Sequence, residues 1–567
     1  MPTTLLRLLP SLSLYFMILA VTAAPPKVIL NIIVDDLGWS NFGPRSPNPP
    51  ENETPRLTSL ASRGVTLLRQ YNHFTCTPSR SSFTTGRLPV HVQTTLDNPD
   101  KINAGIPINM TSIAERMQRL GYVTAIYGKW DQGGASPRHT PEGRGYDHSF
   151  IYFEHMNNYW NWTIEPTGTA CNNAATPLLI DAWENGAPAN ISSSSQSQLP
   201  QPPPIYWDEA VFSRALAAIA NSSSSSDGLY LDVRPHSMHW PLMVDQETLL
   251  NFSWVGNDES SCSARFYQNQ PIFPGGGTGA AGNFSCRRQY QAMLHNLDKR
   301  IGSLEDALIA AGLWNQTLIT FFSDNGGVID ISESAGNNYP HRGGKYTPLE
   351  GGIRVTAFWG GGYLPASSYG TSIHGIVSVA DYSTTLCIIG GGTLESCQLD
   401  TVAEAAGLPP LDSLNVWPLI SGINLTSPRV EIPVSNNVLI QYKGVGNGSG
   451  GGPIWKWLSG TISRAAWTGP IFPNATGADP AGVQLDCGVV GCLFDIWADP
   501  EERNDVALTY PSIASQMKSR LNQLSNGFYS NSDEGGTSRC PKNTPDCMCW
   551  AGMNLHGGFL GPFHDWP

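Results

Sequence analysis

The chain has 567 residues, of which 40% are hydrophobic and 10% aromatic, so it can bury a large core and is long enough for more than one domain. Its formal net charge of −13 argues against a nucleic-acid partner, because a polyanion releases its counterions only to a positive surface. An anionic substrate would therefore have to be held by a local cluster of Lys, Arg or metal.

The first residues predict a secretory signal peptide over residues 1–23. Arg7 precedes an apolar run from Leu14 to Val21, and the small-residue sequence VTA provides a cleavage site. An N-terminal membrane anchor is the alternative, but the run is shorter than the ~20 apolar residues that a span needs. We find no later segment long or apolar enough to cross a membrane, so we expect a secreted, extracellular or lysosome-type protein.

N-x-S/T sequons agree with passage through the secretory pathway. They lie at Asn52, Asn109, Asn161, Asn190, Asn221, Asn251, Asn283, Asn315, Asn424, Asn447 and Asn474. In that oxidising compartment most of the 11 cysteines should form disulfides, and the odd number leaves one over. We predict that the unpaired one is Cys76.

Four apolar, β-branched runs each end in polar residues. KVILNIIVDDLGW ends in Asp35 and Asp36, GYVTAIYGKWD in Lys129, GLYLDVRPHSMHWP in His236 and His239, and TLITFFSDNGG in Asp324 and Asn325. The last run follows apolar residues at helical spacing between Tyr290 and Leu308, with Gly312 as a C-terminal stop. This pattern predicts a helix followed by a buried strand.

Buried strands that alternate with helices predict an α/β fold with a large mixed, mostly parallel sheet sandwiched by helices. In such sheets ligands bind outside the carboxyl ends of the strands. A single polar cluster there would be ordinary, because polar residues end most strands, but four clusters at one edge predict a site. Asp35, Asp36, Asp324 and Asn325 offer hard oxygen ligands, which suit calcium or magnesium and not zinc.

After about residue 425 the sequence changes to short apolar pieces separated by Gly and Pro. This texture predicts a smaller C-terminal α+β domain over residues 426–567, with a short antiparallel sheet and a helix near Pro511 to Leu524. Its tail carries Cys540, Cys547 and Cys549. A metal knuckle is one interpretation of that tail, but a secreted chain favours disulfides.

The segment CTPSR, followed by TG, resembles the signature of the formylglycine-dependent sulfatases, in which C-x-P-x-R directs oxidation of the cysteine to an aldehyde. Here the motif residues are Cys76, Pro78 and Arg80. Further matches occur in family order: VDDLGWSNFG, GYVTAIYGKW, PHSMHWP, SDNGG, HRGGKYTPLEGGIRV and LFDIWADPEERNDVA. The resemblance runs from about Val28 to about Val506 and is closest to the arylsulfatase B-like branch.

This resemblance implies an alkaline phosphatase-like fold, with a catalytic domain over residues 24–425 that hydrolyses aryl or carbohydrate sulfate esters. It implies that residue 76, as hydrated formylglycine, supplies a geminal diol, of which one hydroxyl attacks sulfur and the other, on losing its proton, expels sulfate. The implied ion is calcium, acting as a Lewis acid. A formylglycine-generating enzyme would be a partner during maturation.

The resemblance also assigns roles to side chains. Arg80 would hold the aldehyde hydrate, while Lys129, His239 and Lys345 would clamp sulfate and assist the leaving oxygen.

One position departs from the family. Its usual motif is GKWH, and here Asp131 in GKWDQGG replaces the histidine that takes the proton from the diol. Asp131 is therefore the candidate base, and His139 in PRHTPEGRGYD is the competing one.

Two other functions stay open on the sequence. The first is a phosphoester or phosphonate hydrolase of the same superfamily, which would share the metal and the nucleophile. The second is a catalytically inactive relative that binds sulfated glycans.

Overall fold

The computed structural model describes residues 24–47, 52–93, 105–164, 171, 179–190, 205–255, 261–262, 284–329, 334–442, 452–471, 482–529, 537–542, 544 and 546–565. The predicted signal peptide and the sequons at Asn283, Asn447 and Asn474 lie outside these residues. Within the described part of the chain, no helix combines the length and apolar character that a membrane crossing requires.

Strands and helices alternate along the first two thirds of the chain. The strands, in chain order, are β1 (Val28–Val34), β2 (Val65–Tyr71), β3 (Tyr122–Lys129), β4 (His148–Tyr152), β5 (Trp183–Glu184), β6 (Ala187–Pro188), β7 (Gly228–Arg234), β8 (Ser261–Cys262), β9 (Phe284–Ser285), β10 (Thr317–Ser323), β11 (Arg354–Gly360), β12 (Thr371–Ile373), β13 (Val377–Ser378), β14 (Glu431–Ser435), β15 (Val438–Tyr442), β16 (Ile454–Leu458), β17 (Thr461–Ile462), β18 (Leu485–Asp486), β19 (Cys492–Asp495), β20 (Thr537–Ser538) and β21 (His564–Asp565). The α-helices, in chain order, are α1 (Pro55–Ser62), α2 (Cys76–Thr85), α3 (Pro89–Val92), α4 (Ile113–Arg119), α5 (Trp207–Ser222), α6 (Gln246–Asn251), α7 (Cys286–Ala310), α8 (Glu350–Ile353), α9 (Asp381–Ile389), α10 (Leu394–Gln398), α11 (Thr401–Ala405), α12 (Trp417–Ile420), α13 (Pro511–Leu524) and α14 (Cys547–Asn554).

The large sheet has the strand order β12-β2-β11-β10-β1-β7-β3-β4-β5-β6, and β13 also pairs with β2. The five central strands β10, β1, β7, β3 and β4 run parallel to one another. β11 is antiparallel to both β10 and β2, so β2 runs in the same direction as the central strands. The prediction of a mixed, mostly parallel sheet is therefore confirmed.

Both faces of this sheet are covered by helices. Along β1, Leu30 and Ile32 point into one hydrophobic core, while Ile29 and Ile33 point into the other. Helices α1, α5 and α7 contribute side chains to the first core, and α2, α4 and α9 contribute to the second. Because successive side chains of a strand face opposite sides, a strand buried on both faces is mostly apolar, and β1 is apolar except for Asn31, whose amide donates to Asp232 Oδ1 at 2.9 Å.

Helix α7 follows the predicted apolar spacing. Its N-cap is Ser285, whose side chain accepts a hydrogen bond from the backbone N–H of Arg288 at 3.1 Å. Tyr290, Leu297 and the other predicted apolar positions up to Leu308 are buried against the sheet. The helix ends at Ala310, and Gly312 beyond it has a φ of +70° that glycine adopts without strain.

A second, antiparallel sheet in the C-terminal region has the order β14-β15-β16-β19. Helix α13 covers one face of it, with Met517 and Leu521 in the same cluster as Trp457. On the other face Ile440 packs in a cluster that includes Ile353 of the large unit. The predicted smaller sheet and the predicted helix near Pro511 to Leu524 are both present.

The cysteine-rich tail packs against the large unit. A disulfide joins Cys171 to Cys549, and Ile180 forms a β-bridge with Phe559. Cys540 and Cys547 form a second disulfide. All three tail cysteines are therefore in disulfides, as the sequence favoured. The tail, which the predicted boundaries assign to the C-terminal domain, packs against the predicted catalytic domain through Cys171 and Ile180.

Candidate active site

The predicted site residues meet at one edge of the large sheet. Asp35 follows β1, Asp324 follows β10, His239 lies beyond β7, and Lys129 ends β3. Because these strands are parallel, their carboxyl ends lie at the same edge. β2 ends at that edge too, and the loop after it leads to Cys76 at the start of α2. These side chains are almost inaccessible to solvent.

Cys76 is the first residue of α2, and its Sγ lies 3.7 Å from Asp35 Oδ1. It is the free cysteine among those that the structure describes, as predicted. Thr75, at the N-cap, makes no side-chain capping hydrogen bond, so the positive end of the helix dipole at residue 76 is left for another anionic group. Burial raises the pKa of the Cys76 thiol well above its ordinary value.

Two cations surround Asp35. Lys129 Nζ lies 2.7 Å from Asp35 Oδ2, and Arg80 Nη2 lies 3.4 Å from the same oxygen. Arg80 Nη2 also lies 2.8 Å from Asp324 Oδ2. Burial opposes ionisation of Asp35, yet Lys129 and its other cationic neighbours hold the pKa of this carboxyl well below its ordinary value. Asp35 is therefore a carboxylate.

Asp36 collects the remaining predicted side chains. Lys345 Nζ lies 2.8 Å from Asp36 Oδ1, and Asn325 Nδ2 donates to the same oxygen at 2.6 Å. His239 Nε2 lies 3.7 Å from Asp36 Oδ2, while its Nδ1–H donates to the Trp240 carbonyl at 2.6 Å. Burial raises the pKa of Asp36 and lowers the pKa of His239.

The predicted metal ligands lie in one cluster, in which the ligand atoms of Asp35 and Asp36 are close together and Asp36 also contacts Asp324 and Asn325. The backbone N–H of Asp36 lies 3.3 Å from Asp324 Oδ1, and ligand atoms of Asp35, Asp36, Cys76 and His239 all lie within 4.8 Å of one another. Asn325 Oδ1 is buried and has no hydrogen-bond partner among the described residues. A hard cation would satisfy this orphaned oxygen, so the donor set fits calcium or magnesium.

The formal charges around the nucleophile position also leave room for a cation. Four aspartates (Asp35, Asp36, Asp131 and Asp324) outnumber the three cationic side chains (Arg80, Lys129 and Lys345), so an anionic sulfate would need further positive charge to be held there. Burial and the neighbouring Asp35 raise the pKa of Asp324 to about 7.

Asp131 is completely buried beside this cluster, and its φ of 52° is left-handed. Its Oδ1 accepts hydrogen bonds from His155 Nδ1 at 2.8 Å and from Thr77 Oγ1 at 3.0 Å. Lys129 Nζ lies 3.6 Å from its Oδ2. Burial would raise the pKa of Asp131, but His155 and Lys129 lower it below the ordinary value.

The competing candidate, His139, occupies a different place. Its Nδ1 pairs with Ser136 Oγ at 2.8 Å, within its own turn, and its carbonyl accepts from Trp130 Nε1 at 3.0 Å. Asp131, in contrast, contacts Thr77, the residue next to Cys76.

Sequence reasoning missed His155. It follows β4 in the run SFIYFEH, which is a fifth apolar run that ends in polar residues. Lys129 pairs with Tyr152 in the parallel register of β3 and β4, so the residues just beyond these two strand ends are neighbours. The strand-end criterion applied to the other four runs could have identified it.

Comparison with known proteins gives one family. A family model described as Sulfatase matches residues 27–391. Arylsulfatase J from Mus musculus is 26% identical over 558 residues, which cover 94% of this chain and 80% of that protein. Arylsulfatase A from Bos taurus is 27% identical over 515 residues, which cover 88% of this chain and 87% of that protein. N-acetylgalactosamine-6-sulfatase from Homo sapiens is 25% identical over 440 residues, covering 74% and 69%.

Solved structures share the fold. The PsFucS1 sulfatase from Pseudoalteromonas sp. superposes with a TM-score of 0.59 and 20% identity, covering 91% of this chain and 93% of that one. BT4656, solved in complex with its substrate D-glucosamine-2-N,6-O-disulfate, gives a TM-score of 0.56 at 14% identity, covering 90% of this chain and 100% of that one.

Proposed function

Because the chain belongs to the sulfatase family of the alkaline phosphatase superfamily and is a sulfuric ester hydrolase, we propose that it hydrolyses aryl or carbohydrate sulfate monoesters through a formylglycine at position 76 and a calcium ion. The observation that carries this proposal is the position of Cys76. It is a free, buried cysteine in a C-x-P-x-R motif, at a helix N-terminus, and it contacts Asp35, which pairs with Lys129 and Arg80.

Residue 76 is the nucleophile in this proposal. In the formylglycine form its hydrate supplies one hydroxyl for attack on sulfur and a second from which sulfate is later expelled. Arg80, which lies on the same helix one turn later, orients that hydrate while pairing with Asp35 and Asp324. The N-terminus of α2 favours the negative charge that develops at this position.

Lys129, Lys345 and His239 bind the sulfate group. Lys129 ends β3 and Lys345 lies in the segment between β10 and α8, and each lies within 3 Å of a site aspartate, at 2.7 Å and 2.8 Å. Fixed cations in a buried site stabilise charge on sulfate oxygens without having to reorganise. His239, whose Nε2 is directed toward Asp36, contacts the leaving oxygen.

Asp35, Asp36, Asp324 and Asn325 hold the ion. The support is their shared hard-oxygen chemistry and the orphaned Asn325 Oδ1. When bound, calcium supplies Lewis-acid polarisation of sulfate oxygens and the positive charge that the site's own side chains lack.

Asp131 takes the proton that must leave residue 76 before sulfate can be released. Its contact with Thr77 and its lowered pKa support this role over His139. A carboxylate that stays ionised at neutral pH is available as a general base.

Maturation would follow the secretory route. A formylglycine-generating enzyme acts on Cys76, the signal peptide is removed, and the disulfides form in an oxidising compartment. Among the described sequons, Asn190, Asn221, Asn251, Asn315 and Asn424 are exposed and so accessible for glycosylation. We assign a secreted or lysosome-type location on these grounds.

Parallel assays on 4-nitrophenyl sulfate and 4-nitrophenyl phosphate test the proposal. We expect hydrolysis of the sulfate ester at a much higher kcat/KM than the phosphate ester, dependence on calcium, and loss of turnover in Cys76→Ala. Preferred hydrolysis of the phosphate ester would favour the phosphoester alternative and contradict this assignment.

A further inference from the structure

The two oxygens of Asp131 have different surroundings. Oδ1 accepts hydrogen bonds from His155 and Thr77, whereas Oδ2 accepts none from the described residues and lies 3.6 Å from Lys129 Nζ. Buried polar atoms usually have a partner, and an exception at a site calls for an explanation. Oδ2 is therefore the oxygen that remains available for a proton from outside the protein's own hydrogen-bond network.

The hydrogen bond between Asp131 and His155 fixes the imidazole tautomer. An ionised carboxylate can only accept, so His155 Nδ1 must carry the proton and donate it to Oδ1. His155 Nε2 is buried and finds no partner among the described residues. Among the described residues, the hydrogen bond of the His155 ring is therefore the one to Asp131.

The fold makes this pair rigid. Asp131 and His155 follow the adjacent parallel strands β3 and β4. A backbone hydrogen bond from the Trp130 N–H to the Tyr152 carbonyl, at 3.0 Å, joins the two strand ends. Thr77, which donates to the same Oδ1, is the second residue of α2 and directly follows residue 76. Asp131 is therefore fixed from two sides, and its free oxygen cannot rotate away without breaking both hydrogen bonds.

We propose that His155 is a positioning residue that holds Asp131 ionised and directs its Oδ2 to the proton on residue 76. This inference rests on the proposed function of Asp131. In the release step, the O–H bond at residue 76 breaks and an O–H bond forms at Asp131 Oδ2. The electron pair left behind forms the carbonyl bond as the C–O bond to sulfate breaks, so the aldehyde returns and sulfate leaves.

The pH dependence follows from the charged groups around Asp131. Lys129 on β3, Arg80 on α2, Tyr152 on β4 and His155 are the titratable neighbours. Burial raises the pKa of Asp131 and His155 lowers it, so removal of His155 should raise the pKa of Asp131. A base must be deprotonated to act, and the acid limb of the kcat profile then moves to higher pH.

Four variants test the pair kinetically: His155→Ala, His155→Asn, Asp131→Asn and the double variant His155→Ala/Asp131→Asn. With 4-nitrophenyl sulfate, we expect His155→Ala to lower steady-state kcat about tenfold and Asp131→Asn about a hundredfold, the scale of a general base. The first-turnover burst of nitrophenol should persist, because release and not attack is slowed. His155→Asn keeps a donor near the Nδ1 position and should recover most of kcat.

The double variant should be no slower than Asp131→Asn alone, since both residues act through one proton. His148→Ala provides the matched control, because His148 is an exposed histidine at the opposite end of β4. Equal losses in burst and steady state, additive losses in the double variant, or a His155→Ala profile that matches His148→Ala would overturn the proposal.

A second readout does not depend on turnover. In a Cys76→Ala protein, 15N NMR of histidine-labelled samples reports which imidazole nitrogen carries the proton, and His155→Ala identifies the signal. We expect the proton on Nδ1, and a change of this signal in Asp131→Asn. A proton on Nε2, or no response to Asp131→Asn, would contradict the pair even if the protein hydrolyses sulfate esters. Conversely, an intact pair in a protein without sulfatase activity would count against the proposed function.

Discussion

At the scale of single residues, the site contains two aspartates in left-handed backbone conformations. Asp36 and Asp131 both have a φ of 52°. For a residue other than glycine this conformation costs about 1 kcal/mol or more, and it persists only where surrounding contacts enforce it. Asp36 is held by Lys345 and Asn325, and Asp131 by His155 and Thr77. The strain therefore lies at two of the four carboxylates to which we assign roles, one a proposed metal ligand and the other the proposed base.

The two lysines that we propose to bind sulfate give the first prediction. Lys129→Ala and Lys345→Ala should each reduce transition-state stabilisation, measured as kcat/KM for 4-nitrophenyl sulfate, by about 2 to 4 kcal/mol, the effect of one lost electrostatic donor. Lys518→Ala is the control, because this partly exposed lysine lies on α13 and donates to the Val489 carbonyl at 2.9 Å. Unchanged kcat/KM in both site variants, with folding verified by thermal melting, would contradict the assignment.

The proposed metal ligands give the second prediction. Asn325→Ala removes the orphaned Oδ1 and should weaken calcium binding by about tenfold or more, as changes in and around metal ligands do. Calorimetric titration of metal-stripped protein measures the affinity. Asn296→Ala is the control. It removes an amide that donates to Asp245, which is not one of the proposed ligands, and should leave the calcium affinity unchanged. Equal affinities in the two variants would remove Asn325 from the ligand set.

At the scale of secondary-structure elements, long periodic segments were predictable and pairings between distant segments were not. Helix α7 follows from the spacing of its apolar residues, and α13 occupies the predicted range Pro511–Leu524. Strand β11 is antiparallel to both of its neighbours, β10 and β2, and its own sequence does not indicate this direction. The disulfide from Cys171 to Cys549 spans 378 residues, and spacing alone cannot select such a pair.

The candidate site was predictable to a similar extent. Strand ends and motifs identified Asp35, Lys129 and their partners because the relevant strands are parallel and adjacent. His155 was missed because its role depends on the register between β3 and β4, which brings it beside Asp131. The local sequence around His155 indicates the end of a strand, but it does not indicate which residue of another strand lies beside it.

Helix α7 gives the third prediction. Leu297 is 1% exposed in the core beneath the large sheet, whereas Ile309 on the same helix is 53% exposed. Leu297→Ala should lower the free energy of unfolding by about 2 to 5 kcal/mol, because it removes buried methyl groups and leaves a cavity. Ile309→Ala should change it by less than about 0.5 kcal/mol. Urea unfolding measures both, and similar losses would mean that the helix is packed differently.

At the scale of the whole molecule, a buried ion cluster joins the small sheet to the large unit. Lys456 on β16 places its Nζ 3.1 Å from Glu350 Oε1 and 2.8 Å from Glu502 Oε1. Glu350 begins α8, five residues after Lys345 of the site. Removal of one partner from a buried ion group leaves an uncompensated charge, so this cluster makes the small sheet part of the framework of the site.

The same cluster gives the fourth prediction, for pH. Burial and the neighbouring Glu350 raise the pKa of Glu502 from 4.5 to about 7, although Lys456 opposes them. A carboxyl whose pKa is raised by folding binds its proton more tightly in the folded state. Its contribution to stability is therefore full below about pH 4.5 and is lost as pH rises through about 7.

Glu502→Gln mimics the protonated form and should flatten this pH dependence. Thermal unfolding at pH 5 and at pH 8 measures it, expressed as the difference in Tm between the two conditions. We expect the difference to be smaller in Glu502→Gln than in the unaltered protein. Glu501→Gln is the control, because Glu501 is a partly exposed neighbour that pairs with Arg503. The same difference in all three proteins would show that Glu502 does not titrate in this range.

The central claim is that residue 76 is formylglycine, and the mass of the proteolytic peptide that carries it, from protein matured in a secretory host, tests that claim most directly. Cys76 is buried and unpaired, so no disulfide competes with its oxidation. We predict the mass of the aldehyde at position 76, and reaction of that peptide with a carbonyl reagent. A peptide that carries an unmodified thiol, or one bridged to another cysteine, would contradict the account.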